Sequence, residues 1–119
     1  MARPGDVEVH VEASPEGGGA TVVRVEGDLD MATCPELERA LEGADPAGRV
    51  VVDLSGCTFL DSSALRVLVQ RARAAETAGG TIALVTRDPG ILRVLDIATT
   101  DTMLPVHDTI DAARFANPS

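Results

Sequence analysis

Residues 49–54 read Arg-Val-Val-Val-Asp-Leu, an almost unbroken apolar run in a chain of which 24 % is charged. A strand with one wet face alternates apolar and polar side chains, because successive residues point to opposite sides. Three consecutive valines remove that option. The run fits a central strand covered on both faces, and such strands belong to domains whose crossovers lay helices on the sheet. The chain's 119 residues suffice for one such arrangement around a single modest core.

That core has to be aliphatic. Hydrophobic residues make up 45 % of the chain and aromatics 2 %, with no Trp and no Tyr. Base-stacking platforms are thereby removed, which argues against single-stranded nucleic acid as a ligand. A net charge of −9, from 19 acidic and 10 basic residues, repels phosphate backbones and anionic lipid and attracts basic partners. Every basic residue is Arg, so lysine nucleophile and Schiff-base chemistry is absent. No apolar run approaches the roughly 20 residues of a membrane span, and residues 1–6 lack the apolar centre of a signal peptide. A cytoplasmic protein with no membrane attachment is expected. Cys34 and Cys57 stand in no CxxC motif and at no metal spacing from a His, which predicts reduced, packed thiols.

The remaining elements fall around the central run. Residues 7–12 alternate in period two and read as a strand, with 21–26 as the returning strand after a turn at Gly17-Gly18-Gly19. Gly27-Asp28-Leu29-Asp30 forms a turn. Thr33-Cys34-Pro35-Glu36 reads as a helix start with Thr33 as cap, Glu36 completing a capping box and Pro35 in the first turn. Leu37, Ala40 and Leu41 are its apolar stripe, and residues 43–48 form the following loop. A helical pattern runs over 65–78 and stops at Gly79-Gly80. Residues 81–86 read as a second buried strand, Asp88-Pro89-Gly90 starts a helix carrying Ile91, Leu92, Leu95 and Ile97, residues 104–106 form an edge strand, and 109–115 a last helix. The order β-β-α-β-α-β-α-β-α implies an α/β domain with a mixed, mostly parallel sheet of about five strands, about four helices and an opening antiparallel hairpin. Residues 1–6 are expected to be disordered, 7–115 to form the domain, and 116–119 to fray.

The stretch that carries function is residues 53–65, running from the end of the central strand to the mouth of a helix, where open α/β sheets place their sites. Asp61-Ser62-Ser63 stands at that mouth. Unpaired N–H groups and a partial positive charge occur there, so a phosphoryl group on Ser62 is expected to be received by the backbone while adding about −1.5 to −2 charge to the surface. The plainer reading is a helix cap, and one residue set can serve both roles. Catalysis has little support: His10 and His107 are the only histidines and neither belongs to a triad. Asp28, Asp30, Asp53 and Asp61 lack calcium-loop spacing, and no phosphate-binding glycine loop is present. Neither a metal nor a cofactor is expected.

Asp53-Leu54-Ser55, Phe59-Leu60-Asp61-Ser62-Ser63 and the apolar helix behind them resemble the signature of the STAS domain, in particular the bacterial anti-sigma factor antagonists. Glu26-Gly27-Asp28-Leu29-Asp30 is similar to that family's acidic turn after the second strand. The resemblance covers roughly residues 7 to 115. It implies a non-enzymatic switch: the unphosphorylated protein binds an anti-sigma factor that is also a serine kinase of the histidine-kinase-like ATPase fold, the sigma factor is released, phosphorylation of Ser62 reverses this, and a serine phosphatase restores the start. Asp28, Asp30, Asp61, Ser62, Ser63 and Ala64 would form the partner-binding surface of a monomer or weak dimer. Ala64 departs from the Gly common in the family, and its methyl is expected to crowd a partner. Two other readings remain open: an unphosphorylated STAS subunit of a lipid or anion transport complex, and a structural subunit of a signalling assembly.

Overall fold

The computed structural model describes residues 7–13, 20–45, 47–98 and 104–114. They form β1 (Val7–Ala13), β2 (Ala20–Gly27), α1 (Cys34–Glu42), β3 (Arg49–Gly56), α2 (Ser62–Ala78), β4 (Thr81–Val85), α3 (Pro89–Ala98), β5 (Val106–His107) and α4 (Ile110–Arg114). The expected terminal segments 1–6 and 116–119, the glycine turn 17–19, Phe115 and the side chain of Ile97 lie outside the described residues.

The strands lie side by side in chain order, β1-β2-β3-β4-β5, with β1 antiparallel to β2 and every other pair parallel. Alternation along β3 then explains its composition. Val50, Val52 and Leu54 enter a large core with Leu37 and Leu41 of α1, Leu68 and Ala72 of α2, and Ile91 and Leu95 of α3. Val51 faces the other way, into a smaller cluster with Val22, Ala83, Val85 and Ala113 of α4. Three helices therefore cover one face, and α4 covers part of the second. Among the described residues the rest of that face is polar: Glu8, His10, Glu12, Arg24 and Glu26 are exposed there. Asp53 shares that face but is buried, with Arg24 opposite it in register at 3.9 Å.

Several boundaries differ from expectation. Helix α2 begins at Ser62, a turn before the apolar periodicity starts at Leu65, because a capping carboxylate rather than a hydrophobic stripe sets its first turn. Strand β5 starts two residues later than expected and ends one later, at Val106–His107. Pro105 stays outside it and contributes only its carbonyl, which accepts Leu84 N–H at 2.8 Å. The capping box at Thr33 does not form. Thr33 has helical φ and ψ of −104° and −19° and no side-chain cap bond. Its hydroxyl donates instead to Asp28 O at 2.7 Å and accepts Asp30 N–H at 2.9 Å. Asp30 orders the turn ahead of the helix, its Oδ1 accepting the N–H of Ala32 and Thr33 at 2.9 and 3.0 Å.

Arg71 on α2 fastens the far end of α1, donating to Leu41 O at 2.8 Å and Ala44 O at 3.1 Å. Burial lowers the pKa of this guanidinium, with Asp45 partly opposing the shift. Arg71→Met should cost about 1–2 kcal/mol in urea unfolding, since those carbonyls lose a charged donor; a midpoint within error of wild type would refute the latch. Burial also pushes up the pKa of both thiols, Cys57 and Cys34. The folded state thus holds these protons more tightly than the unfolded chain, so their contribution to stability is intact below the ordinary thiol value of 9.0 and lost as pH rises above it. The chain has no Lys or Tyr to titrate in that range. Stability should fall above about pH 9, and the fall should flatten in Cys57→Ala when unfolding is repeated across that range.

Candidate functional site

Beyond the last regular pairing of β2 with β3, the two chains stay together through a parallel bridge between Leu29 and Leu60. Leu29 N–H donates to Phe59 O at 2.9 Å, and Asp61 N–H to Leu29 O at 3.0 Å. Both leucines are buried, as is Cys57, whose thiol donates to Phe59 O at 3.1 Å. At the base of this extension Gly56 lies against β2: a Cβ there would stand 3.0 Å from Glu26 Cγ. The loop that delivers the Asp-Ser-Ser motif is therefore a continuation of the sheet.

Asp61 completes it. One carboxylate oxygen accepts Ser63 N–H at 2.9 Å and Ala64 N–H at 3.2 Å, capping α2 from an extended backbone. The other accepts Met31 N–H at 3.1 Å, thirty residues away in sequence. All three partners of the carboxylate are backbone N–H groups. Asp30 is likewise spent on its own turn, and Asp28 is half-buried beside it, so the acidic residues expected at this end do lie near one another. Asp53 does not join them; it accepts Ser55 N–H and faces Arg24.

Ser62 is exposed at the first position of α2, and Ser63 is half-buried. Two expectations need correction. Ala64 is 0 % exposed and packs in the main core, so its methyl points away from any partner and does not belong to the surface. The helix mouth is also not vacant for a phosphoryl group, because Asp61 already holds the N–H groups of residues 63 and 64.

Sequence reasoning passed over two residues of this surface. Met31 is 75 % exposed and Phe59 50 %, and both are joined through their backbones to the Asp61 bridge. Burying either against a partner would contribute roughly 1–2 kcal/mol. A methionine inside a polar turn, and one of only two phenylalanines placed in a loop, were the available signals.

The mixed sheet and its helices agree with comparison to known proteins. A family model described as "Mlab, STAS domain" matches residues 13–105, and anti-sigma-F factor antagonist RsfA of Mycobacterium tuberculosis is 30 % identical over 101 residues, 82 % of this chain and 79 % of the relative. The chain belongs to the STAS family of anti-sigma factor antagonists. The crystal structure of an anti-sigma factor antagonist from Mycobacterium paratuberculosis superposes on this STAS protein with a TM-score of 0.79 at 30 % identity, covering 95 % of both chains. SpoIIAA of Bacillus in its phosphorylated form shares the fold, with a TM-score of 0.62 at 18 % identity over 87 % of this chain and 96 % of that one.

Removing the Asp61 carboxylate deprives α2 of its cap and the Met31 turn of its anchor. Asp61→Ala should lower stability by about 2 kcal/mol, and amide exchange at Met31 should accelerate more than at residues in β4. A loss below about 0.5 kcal/mol with unchanged exchange would contradict the bridging role.

Proposed function

We propose that this protein is a phosphorylation-controlled switch, in which the unphosphorylated form docks through the Ser62 face onto an anti-sigma factor that is also a serine kinase of the histidine-kinase-like ATPase fold. Docking frees the sigma factor. Phosphoryl transfer to the Ser62 hydroxyl ends the interaction, and a serine phosphatase resets it. The ATP and Mg²⁺ belong to the kinase.

The observation that supports this reading is the placement of Ser62: it is exposed, while Asp61 before it caps the helix and Ala64 two residues after it is buried in the core. A kinase can reach the hydroxyl without unfolding the helix. Around it stand Met31 and Phe59 as apolar anchors, with Asp28, Asp30 and Asp61 close by. Such a surface suits a partner with an apolar slot and a basic rim. The anchors sit on hydrogen-bonded backbone, so little ordering entropy opposes docking. Phosphate at residue 62 would bring a double negative charge into the centre of that interface, a desolvation and repulsion cost of several kcal/mol. RsfA, at 30 % identity, is named an anti-sigma-F factor antagonist, and SpoIIAA is recorded in a phosphorylated form.

The test is affinity capture from native lysate with wild type, Ser62→Ala and Ser62→Asp, followed by incubation of the captured partner with Mg-ATP. Wild type should retain an ATPase-fold protein, Ser62→Asp should lose it by about tenfold or more, and phosphate should appear on wild type but not on Ser62→Ala. Capture of a transport subunit, indifferent to both substitutions, would instead support the transport-module reading and overturn this one.

A further inference from the structure

A phosphate on Ser62 would enter an acidic neighbourhood: Asp61 precedes it in the chain, and Asp30 belongs to the turn that Asp61 holds. The backbone offers little relief, because the N–H groups of residues 63 and 64 are committed to Asp61. The first turn of α2 contains no acidic residue of its own. What the helix does contain is Arg66, exposed, four residues after the exposed Ser62. Side chains at i and i+4 stand one above the other on a helix, about 5–6 Å apart at Cβ, and an anion on the N-terminal side of a cation is the favourable order.

Arg66 has no ion pair among the described residues, whereas Arg24 and Arg39 have carboxylates and Arg71 holds the end of α1. Its neighbours three and four residues away along α2 are Ser62, Ser63, Val69 and Gln70, none of them acidic. Within the helix it faces hydroxyls and no carboxylate. A guanidinium grips phosphate oxygens through paired N–H donors, and such charge-assisted bonds are about twice as strong as neutral ones.

We propose that Arg66 is the built-in counter-charge of a phosphate at residue 62, drawing it along α2 and away from the Asp61 cap. This rests on the reading that Ser62 accepts the phosphate, but the contact itself requires only that a phosphate be present there. The pairing explains how α2 can receive the modification without losing its cap. It also gives the modification a second effect, since the same event that adds negative charge to the docking face engages an exposed cation beside it. Arg66 acts here as a positioning residue. Ser63 is a poorer site for the same pairing because it is half-buried and its N–H is bound to Asp61.

The test does not depend on any kinase. Phosphoserine is incorporated at position 62 by an expanded genetic code in the full chain, and the second ionisation of the phosphate is followed by ³¹P NMR titration. Arg66 favours the dianion and lowers its pKa, so Arg66→Gln should raise that pKa by about half a unit or more, a threefold change in the ionisation constant. Arg66→Lys should retain part of the lowering. Arg73→Gln, about three turns along the same helix and also exposed, should leave the value unchanged. Equal values in wild type and Arg66→Gln, or an equal rise in Arg73→Gln, would overturn the proposal. Failure of every kinase to modify Ser62 would count against the phosphoswitch while leaving the titration result standing.

Discussion

Three backbone N–H groups from two distant parts of the chain converge on the carboxylate of Asp61. A carboxylate can serve them all because its two oxygens offer about four acceptor positions, and ionised acceptors form the stronger class of hydrogen bond. Two of the donors begin α2, and the third closes the turn after β2. The position of the helix mouth relative to that turn is therefore set by one side chain. The bridge between Leu29 and Leu60 does the same through the backbone, with both leucines buried beneath it. What faces outward above this junction, Ser62, Met31 and Phe59, is carried on hydrogen-bonded backbone.

Much of this was readable from residue types because the physics behind it is local. The valines of β3 could only belong to a doubly covered strand, and the structure divides them between two cores as their alternation requires. Gly79 ends α2 with φ of 84°, a left-handed conformation that glycine adopts without penalty. Asp88 begins α3 by accepting Ile91 N–H at 2.9 Å. Each of these depends on neighbours within a few positions.

The expectations that failed turn on contacts that the residue patterns do not specify. Thr33 has the right identity and spacing for a capping box, yet the carbonyl of Asp28 claims its hydroxyl, and nothing in the four-residue pattern reveals that competition. Ala64 follows the motif and so seemed to share its exposure. Each residue along a helix turns the side chain by about 100°, so Ala64, two positions on, points nearly opposite to Ser62 and enters the core while Ser62 stays outside. The reach of Asp61 to Met31 spans thirty residues. A lone methionine in a polar turn carries no periodic signal.

The order of the strands has a consequence for how this architecture assembles. Every strand lies next to its immediate predecessor, β1 to β5 across the sheet, so no strand has to insert between two that are already paired. In doubly wound folds the sheet grows outward from an interior strand in both directions, and early edges must wait open for late arrivals. Here growth runs one way, from the amino-terminal hairpin outward, each crossover adding a strand and its covering helix to an edge that is already made. A chain leaving the ribosome can lay down this sheet in the order of its synthesis, which keeps loop closures short and leaves one growing edge exposed at a time.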